Sequence, residues 1–348
     1  MIWRVLLMLW MISAAVYLMA ISSQFISPER MWLPAITGLL FPVWMAAQIV
    51  FLLIFLLLRK WMSLGVLLLL ALTANPFFDT FQPLSRSQEI DQVKGIPVMT
   101  YNVRLFDIFN WSKKPGAGDS ILSYIKHEKP AILCMQEFMV EDEGRFSLDN
   151  IRKELGFNPY SNVEYNFHSY RRKHGLAIFS RYPILDTGMM DFENSSNMAS
   201  FADLQIDHRV VRIYNVHLQS IHIEADQELN GIIGSDADNL FRKLRRAFAI
   251  RAEQARLVKD HIRQSPYPVI VCGDFNDTPV SYALHQIRRG LADSFRHSGK
   301  GFGATYQFLP WLRIDYIFHS DKMNSWNHRT GTLNGSDHRA VMCMISPG

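Results

Sequence analysis

The sequence predicts an α-helical membrane segment followed by an α/β domain, and two observations carry that reading. Before about Ala74 the chain is nearly charge-free, whereas after Gly95 it becomes a mixture of apolar, charged and turn residues. Within that second region, short apolar runs ending in polar residues alternate with helical patterns. With 348 residues, 49% of them hydrophobic, the chain can build one sizeable core as well as a membrane segment.

Ile2 to Ile21 form an apolar run whose single charge is Arg4, and at about 1.5 Å per residue such a run crosses a hydrocarbon layer of roughly 30 Å. By itself it also fits a signal peptide. A second run, Leu33 to Leu58, follows with only Pro42 to bend it, and a third runs from Trp61 towards Phe78. A cleaved signal is not followed by two more such runs, so residues 1–78 are expected to hold three spans, at about 2–21, 33–58 and 61–78. The third is the shortest, because its apolar stretch from Trp61 to Ala74 needs Pro76 to Phe78 to reach the interface. Arg59 and Lys60 are the one pair of cations between spans, which places that turn and the Arg4 end in the cytoplasm. Three spans then put the C-terminal domain outside the cytoplasm, in a bacterial inner membrane, and two would put it inside. Residues 79–95 are polar, contain Pro83 and lack a period, so they read as a linker to a folded domain at 96–348.

In that domain strands are expected at Ile96 to Val103, Ala131 to Gln136, Gly175 to Phe179, Phe201 to Ile206, Val210 to Val216, Pro268 to Cys272, Ile314 to Phe318 and Arg339 to Met344. Asp119 can cap a helix that runs to about Glu128, just ahead of Pro130. A long insertion between His217 and Pro268 begins acidic and ends in a helix from about Asn239 to Gln264. Helical spacing puts Phe241, Leu244, Phe248, Ala255, Val258 and Ile262 on its buried face, and Arg242, Lys243, Arg245, Arg246, Arg251 and Arg256 around the remainder. A solvated basic face and a face that attracts anionic lipid are both open for it.

The formal charge of +4 is weak, and residues 1–94 take +2 of it through six Lys/Arg against four Asp/Glu. Composition therefore does not argue for a duplex-binding surface, which usually carries a larger excess. Cys134, Cys272 and Cys343 each lie in a short apolar run, so they are expected as buried free thiols with no disulfide framework.

Hydrolysis of a phosphate ester needs an attacking water, a cation to neutralise phosphoryl oxygens and a proton donor for the leaving oxygen. The chain holds no HExxH, CxxC or P-loop pattern. It offers instead polar residues at strand ends: Tyr101-Asn102-Val103, Gln136-Glu137, Tyr214-Asn215-Val216-His217, and Gly273-Asp274-Phe275-Asn276-Asp277 after an apolar strand. Arg313-Ile314-Asp315-Tyr316-Ile317 embeds a lone carboxylate that burial would penalise unless it is paired, and Ser336-Asp337-His338-Arg339 joins a carboxylate to a base.

Together and in this order, these elements resemble the endonuclease/exonuclease/phosphatase superfamily over about Ile96 to Ser346, with Gly-Asp-Phe-Asn and Ser-Asp-His the most specific. The resemblance implies a DNase I-like α/β fold, a two-sheet β-sandwich flanked by helices with the catalytic residues at one end. It implies a divalent cation, Mg²⁺ or Mn²⁺, surrounded by Asn102, Glu137 and Asp337. Asp274 is then expected to orient or deprotonate the attacking water, and Asn276 to hydrogen-bond a phosphoryl oxygen. Asp315 would hold His338, and His217 would contact the phosphate from the other side; Asp274 and His338 form one unit in which either is open as the general base. One departure falls at Arg171 to Leu176, where this chain offers Lys173 and His174; phosphate contact and a charged loop rim are both open there.

The expected activity is that of a membrane-anchored, metal-dependent hydrolase of phosphodiesters, with the bilayer as partner and a phospholipid-like substrate suggested by the short tether. The alternatives are a nuclease acting on nucleic acid and a catalytically inactive membrane binding protein.

Overall fold

The computed structural model describes residues 2–84, 95–169, 171–193, 195–221, 237–307, 309–331 and 335–346. The chain divides into two compact units, one of Met1–Phe81, Ser220–Arg256 and Asp277–Ile287, the other of Gln82–Gln219, Leu257–Asn276 and Arg288–Gly348. The first unit thus joins two pieces of the C-terminal half to the apolar N-terminal segment.

In the first unit, α1 (Ile2–Ser22) is followed by α2 (Leu33–Leu39) and α3 (Phe41–Leu57), then by α4 (Met62–Leu72) and α5 (Ala74–Thr80). Trp3–Ser22 is long and apolar enough to cross a membrane, and α2 with α3 and α4 with α5 pass the same test as pairs bent by 70° and 68°. Pro42, in the first turn of α3, supplies no backbone N–H and so permits the first bend. Polar side chains tie the helices together: Gln48 of α3 donates to Ser13 of α1 at 2.9 Å, and the Tyr17 and Thr73 hydroxyls lie 2.9 Å apart. Tyr17 also stacks on Phe41 with centroids 5.4 Å apart. In an apolar surrounding, such contacts and close packing hold helices to one another. Lys60 lies 4.4 Å over the Trp3 ring, so the Arg59-Lys60 turn and the start of α1 share one end of the bundle.

The second unit contains two six-stranded sheets. The first is built from β1 (Ile96–Asn102), β2 (Ile132–Glu141), β3 (Tyr160–His168), β4 (Arg172–Ser180), β11 (Asn324–Thr330) and β12 (Val341–Ser346), in the order β11-β12-β1-β2-β4-β3. The second is built from β5 (Ile184–Asp191), β6 (Met198–Ile206), β7 (Arg209–His217), β8 (Val269–Asp274), β9 (Leu291–Asp293) and β10 (Asp315–Ser320), in the order β5-β6-β7-β8-β10-β9. The sheets bury a shared apolar layer in which Val98, Ile132 and Ile178 of the first meet Leu204, Ile213, Ile270 and Ile317 of the second. Cys134, Cys272 and Cys343 lie in that layer as free buried thiols, as expected. Helices α6 (Ala117–Glu128) and α7 (Leu148–Glu154) cover the first sheet with Ile121, Leu122, Ile125 and Ile151. The architecture is the expected two-sheet sandwich flanked by helices.

Three further helices are α8 (Ala237–Arg263), α9 (Tyr282–Ile287) and α10 (Ser294–Ser298). α8 corrects the expected division of its faces at two positions. Phe241, expected in the core, is 47% exposed, and Arg251, expected on the solvated face, is buried with its Nε 3.3 Å from Asp277 Oδ2. Most of the expected linker, residues 85–94, and the acidic start of the insertion, 222–236, lie outside the described residues.

Candidate active site

Strand direction gathers the predicted residues. β1 and β2 are parallel, with Asn102 opposite Gln136, so both finish at the same end of the sheet. β7 and β8 are also parallel, with His217 opposite Asp274. β10 runs antiparallel to β8 and begins with Asp315 opposite Asp274. β12 is antiparallel to β1, so the segment ahead of it returns to the end of β1, where Ser336 Oγ donates to the Asn102 carbonyl at 2.8 Å.

Local backbone then aims the side chains. The β2–β4 register shifts between Met135 and Phe138, and Glu137 within that bulge has φ 48°. The extra residue turns Gln136 inward, where it is fully buried, and leaves the Glu137 side chain partly open at the strand end. Gly273 has φ 151°, and a Cβ there would overlap the Val216 carbonyl, so the β7–β8 approach beside Asp274 requires glycine.

The side chains converge. Asn102 Nδ2 donates to Glu137 Oε1 at 3.1 Å and to Asp274 Oδ2 at 2.9 Å. His217 Nε2 lies 3.9 and 3.8 Å from the same two oxygens and, although buried, has no hydrogen-bond partner among the described residues. His338 Nδ1 is 2.9 Å from Asp315 Oδ2, and its Nε2 is 3.7 Å from Asp274 Oδ2. The Asn276 backbone N–H donates to Asp274 Oδ1 at 2.9 Å, and its side-chain nitrogen donates to the Leu218 carbonyl at 2.9 Å. Asp337 joins the group at its edge, with Oδ2 3.3 Å from Arg104 Nε and Oδ1 3.3 Å from Ser336 Oγ.

Charge follows burial. Burial raises the Asp315 pKa, and His338 acts against that. For His338 burial favours the neutral ring, but Asp315 and Asp274 outweigh it and lift the pKa well above the usual histidine value. His174 is half-buried beside Phe167, 4.6 Å between rings, and burial, followed by the charge of His217, lowers its pKa.

The donor set suits a hard cation. Glu137 and Asp274 present carboxylate oxygens to one small space; the Asn102 Nδ2 bridges them, while its Oδ1 accepts the Arg104 N–H at 3.0 Å, so the carboxylates are the oxygens an ion would take there. Asp274, Asp315 and His338 also bring ligand atoms within 4.8 Å of one another. In that second group Asp315 Oδ2 and His338 Nδ1 already face each other at 2.9 Å.

The sequence of this domain matches a known family. The profile of the Endonuclease/Exonuclease/phosphatase family covers residues 99–338. The chain belongs to that family. It is therefore a hydrolase of phosphate esters. A second profile, described as a domain of unknown function, covers residues 4–80. No curated protein matches the chain. Solved structures of similar fold include an endonuclease/exonuclease/phosphatase from Beutenbergia cavernae DSM 12333, at TM-score 0.54 and 18% identity over 74% of this chain and 72% of that one. D. rerio TDP2 complexed with a single-strand DNA product gives TM-score 0.52 and 16% identity over 73% of this chain and 100% of that one. The mannosyl-6-phosphatase Bt3783 of Bacteroides thetaiotaomicron VPI-5482 gives TM-score 0.51 and 17% identity over 72% and 99%. At these identities the likeness establishes the family's fold.

Some site members carried no signal of their own in the sequence. Arg104, two residues past Asn102, neutralises Asp337 and lies under the Trp111 ring, 5.2 Å from its centroid. Thr305 accepts the Asp315 backbone N–H at 3.2 Å. Gln136 and Asn215, read only as neighbours of Glu137 and His217, join the two sheets: Gln136 Nε2 donates to Asn215 Oδ1 at 2.6 Å, and Asn215 Nδ2 donates to the Met135 carbonyl at 2.9 Å.

Proposed function

We propose that this protein is a membrane-anchored phosphodiesterase that uses Mg²⁺ or Mn²⁺ and acts on a phospholipid-like substrate. The observation that carries the membrane and lipid reading is the set of apolar helices α1 to α5, joined by Gln48–Ser13 and Tyr17–Thr73, directly ahead of a phosphoesterase domain. A catalytic domain tethered to a bilayer meets lipid headgroups at high effective concentration.

Glu137 would hold the cation, with Asn102 and Asp337 completing its surroundings, and the bound ion would neutralise charge on the phosphoryl group. His338, held by Asp315 and favoured in its protonated form, donates to a phosphoryl oxygen. Asp274, its carboxylate fixed by the Asn276 N–H, is then the acceptor for the proton of the attacking water; as the water oxygen bonds to phosphorus the ester P–O bond breaks, and the leaving oxygen takes up a proton from solvent. His217, with Nε2 unpartnered, faces the phosphate from the opposite side.

The test is a release assay with the purified full-length chain and Mg²⁺, run on phospholipid vesicles, inositol phosphates, and single- and double-stranded nucleic acid. Headgroup release from phospholipid is the expected result. Hydrolysis confined to nucleic acid would replace this reading with that of a membrane-tethered nuclease.

A further inference from the structure

α1 leaves its apolar stretch at Ser22 and α2 begins at Leu33, so the turn between them lies at the bilayer surface if the helices span. Within the same compact unit, this turn meets α8 at two points, Phe241 near its start and Arg256 in its second half. Arg256 donates to both carboxylate oxygens of Glu29 at 2.8 Å, and Trp32 packs on Phe241 with centroids 6.3 Å apart. Ser23 Oγ donates to the Val280 carbonyl at 2.5 Å. The Trp32–Phe241 contact holds the start of α8 beside this turn, at headgroup depth if the helices span.

At 3.6 residues per turn, Leu244, Ala247, Phe248 and Arg251 form the buried side of α8. The opposite arc carries Phe241, Arg245, Arg242, Arg246 and Lys243 in rotational order, all exposed. Residues 239–252 contain no Asp or Glu. A merely solvated helix intersperses the two signs, so four exposed cations within five residues call for an anionic partner. The apolar side chains at the same level are also exposed, with Phe25 at 66%, Met31 at 51% and Phe241 at 47%. Aromatic residues beside Arg and Lys are the composition that favours a membrane interface.

We infer that Arg242, Lys243, Arg245 and Arg246, with Phe241 and Trp32 beneath them, form a binding surface for the phosphate headgroups of anionic phospholipid, separate from the catalytic centre. Guanidinium groups match phosphate oxygens in pairs, and a basic stretch held near a bilayer concentrates acidic lipid. The surface rests on the membrane-anchored reading and does not depend on which substrate the active site takes.

The test uses the full-length protein in nanodiscs of phosphatidylcholine with phosphatidylglycerol, carrying a trace of either lipid in spin-labelled form. The expected result is a several-fold preference of the protein-restricted fraction for phosphatidylglycerol, lost in high salt and in R242Q/K243Q/R245Q/R246Q, but retained in His338→Ala. Equal association of the two lipids overturns the inference. So does a preference that survives the quadruple substitution, or one that disappears with His338→Ala, which would place the headgroup in the active site. A protein that stays outside the nanodisc removes the membrane reading and this surface with it, a different outcome from insertion without lipid preference.

Discussion

His338 Nδ1 lies 2.9 Å from Asp315 Oδ2, with both side chains buried, so each satisfies a group that burial would otherwise penalise. The pair acts as one unit. His338→Ala should lower kcat by roughly 10²–10⁴, with Asp315→Asn close behind. The double variant should be little worse than His338→Ala alone. Steady-state kinetics on the four folded proteins check this, and multiplicative losses would show that Asp315 serves something other than His338.

Glu137 reaches the site through a bulge and shares the Asn102 amide with Asp274. Activity should vanish in EDTA and return with Mg²⁺ or Mn²⁺, and Glu137→Ala should need far more metal for half-maximal rate. Titration of metal against rate reads the shift. Full activity in EDTA would remove the proposed mechanism.

Gly273 allows β8 to approach β7 where a Cβ would overlap Val216. Gly273→Ala should destabilise the fold by more than about 1 kcal/mol and displace Asp274 from His338 and Asn102. Thermal unfolding and kcat, measured together, should both fall; an unchanged melting temperature would mean that the strands separate without cost.

His328 lies on β11, at an edge of the first sheet, and offers a pH signature of folding. Its burial pushes the pKa down to about 4, and Nδ1 rests 2.9 Å from Ser294 Oγ. The unfolded chain binds this proton near pH 6.5, so its contribution is intact above that value and declines as pH falls towards 4. The slope is on the order of 1 kcal/mol per pH unit. His328→Gln should remove this part of the decline in melting temperature between pH 7 and 4.5, and an identical slope in both proteins would contradict it.

Topology is testable by fusion. The Arg59-Lys60 turn shares an end of the helical bundle with Trp3, and the turn from Ser23 to Trp32 holds α8 and the segment before α9 at the other. With α1 and both bent pairs as spans, three crossings put Gly348 outside the cytoplasm, so alkaline phosphatase fused after it should be active and a cytoplasmic fluorescent reporter there should be dark. The reverse pattern would mean two spans.

Eight strands are legible in the sequence because each packs between two neighbours and so carries a continuous apolar run. The four that are not, β3, β5, β9 and β11, are the four sheet edges. An edge strand has one paired neighbour and open sides, so it tolerates the polar residues of Tyr160–His168 and Ile184–Asp191 or shrinks to Leu291–Asp293. Phe241 and Arg251 fail for a related reason: helical period tells which residues share a face, but Asp277 and Trp32 decide what that face meets.

The sequence by itself determined the apolar helical segment, the buried cysteines and the family, because these depend on local composition and on short motifs in a fixed order. Only the tertiary structure decided that Asn102, Glu137, His217, Asp274 and His338 meet, since this needs β1 parallel to β2 and β7 parallel to β8. It also decided that Arg104 faces Asp337 and that Gln136 reaches Asn215. Those contacts join residues from distant parts of the chain, and pairing between strands, which no local pattern encodes, sets their distances.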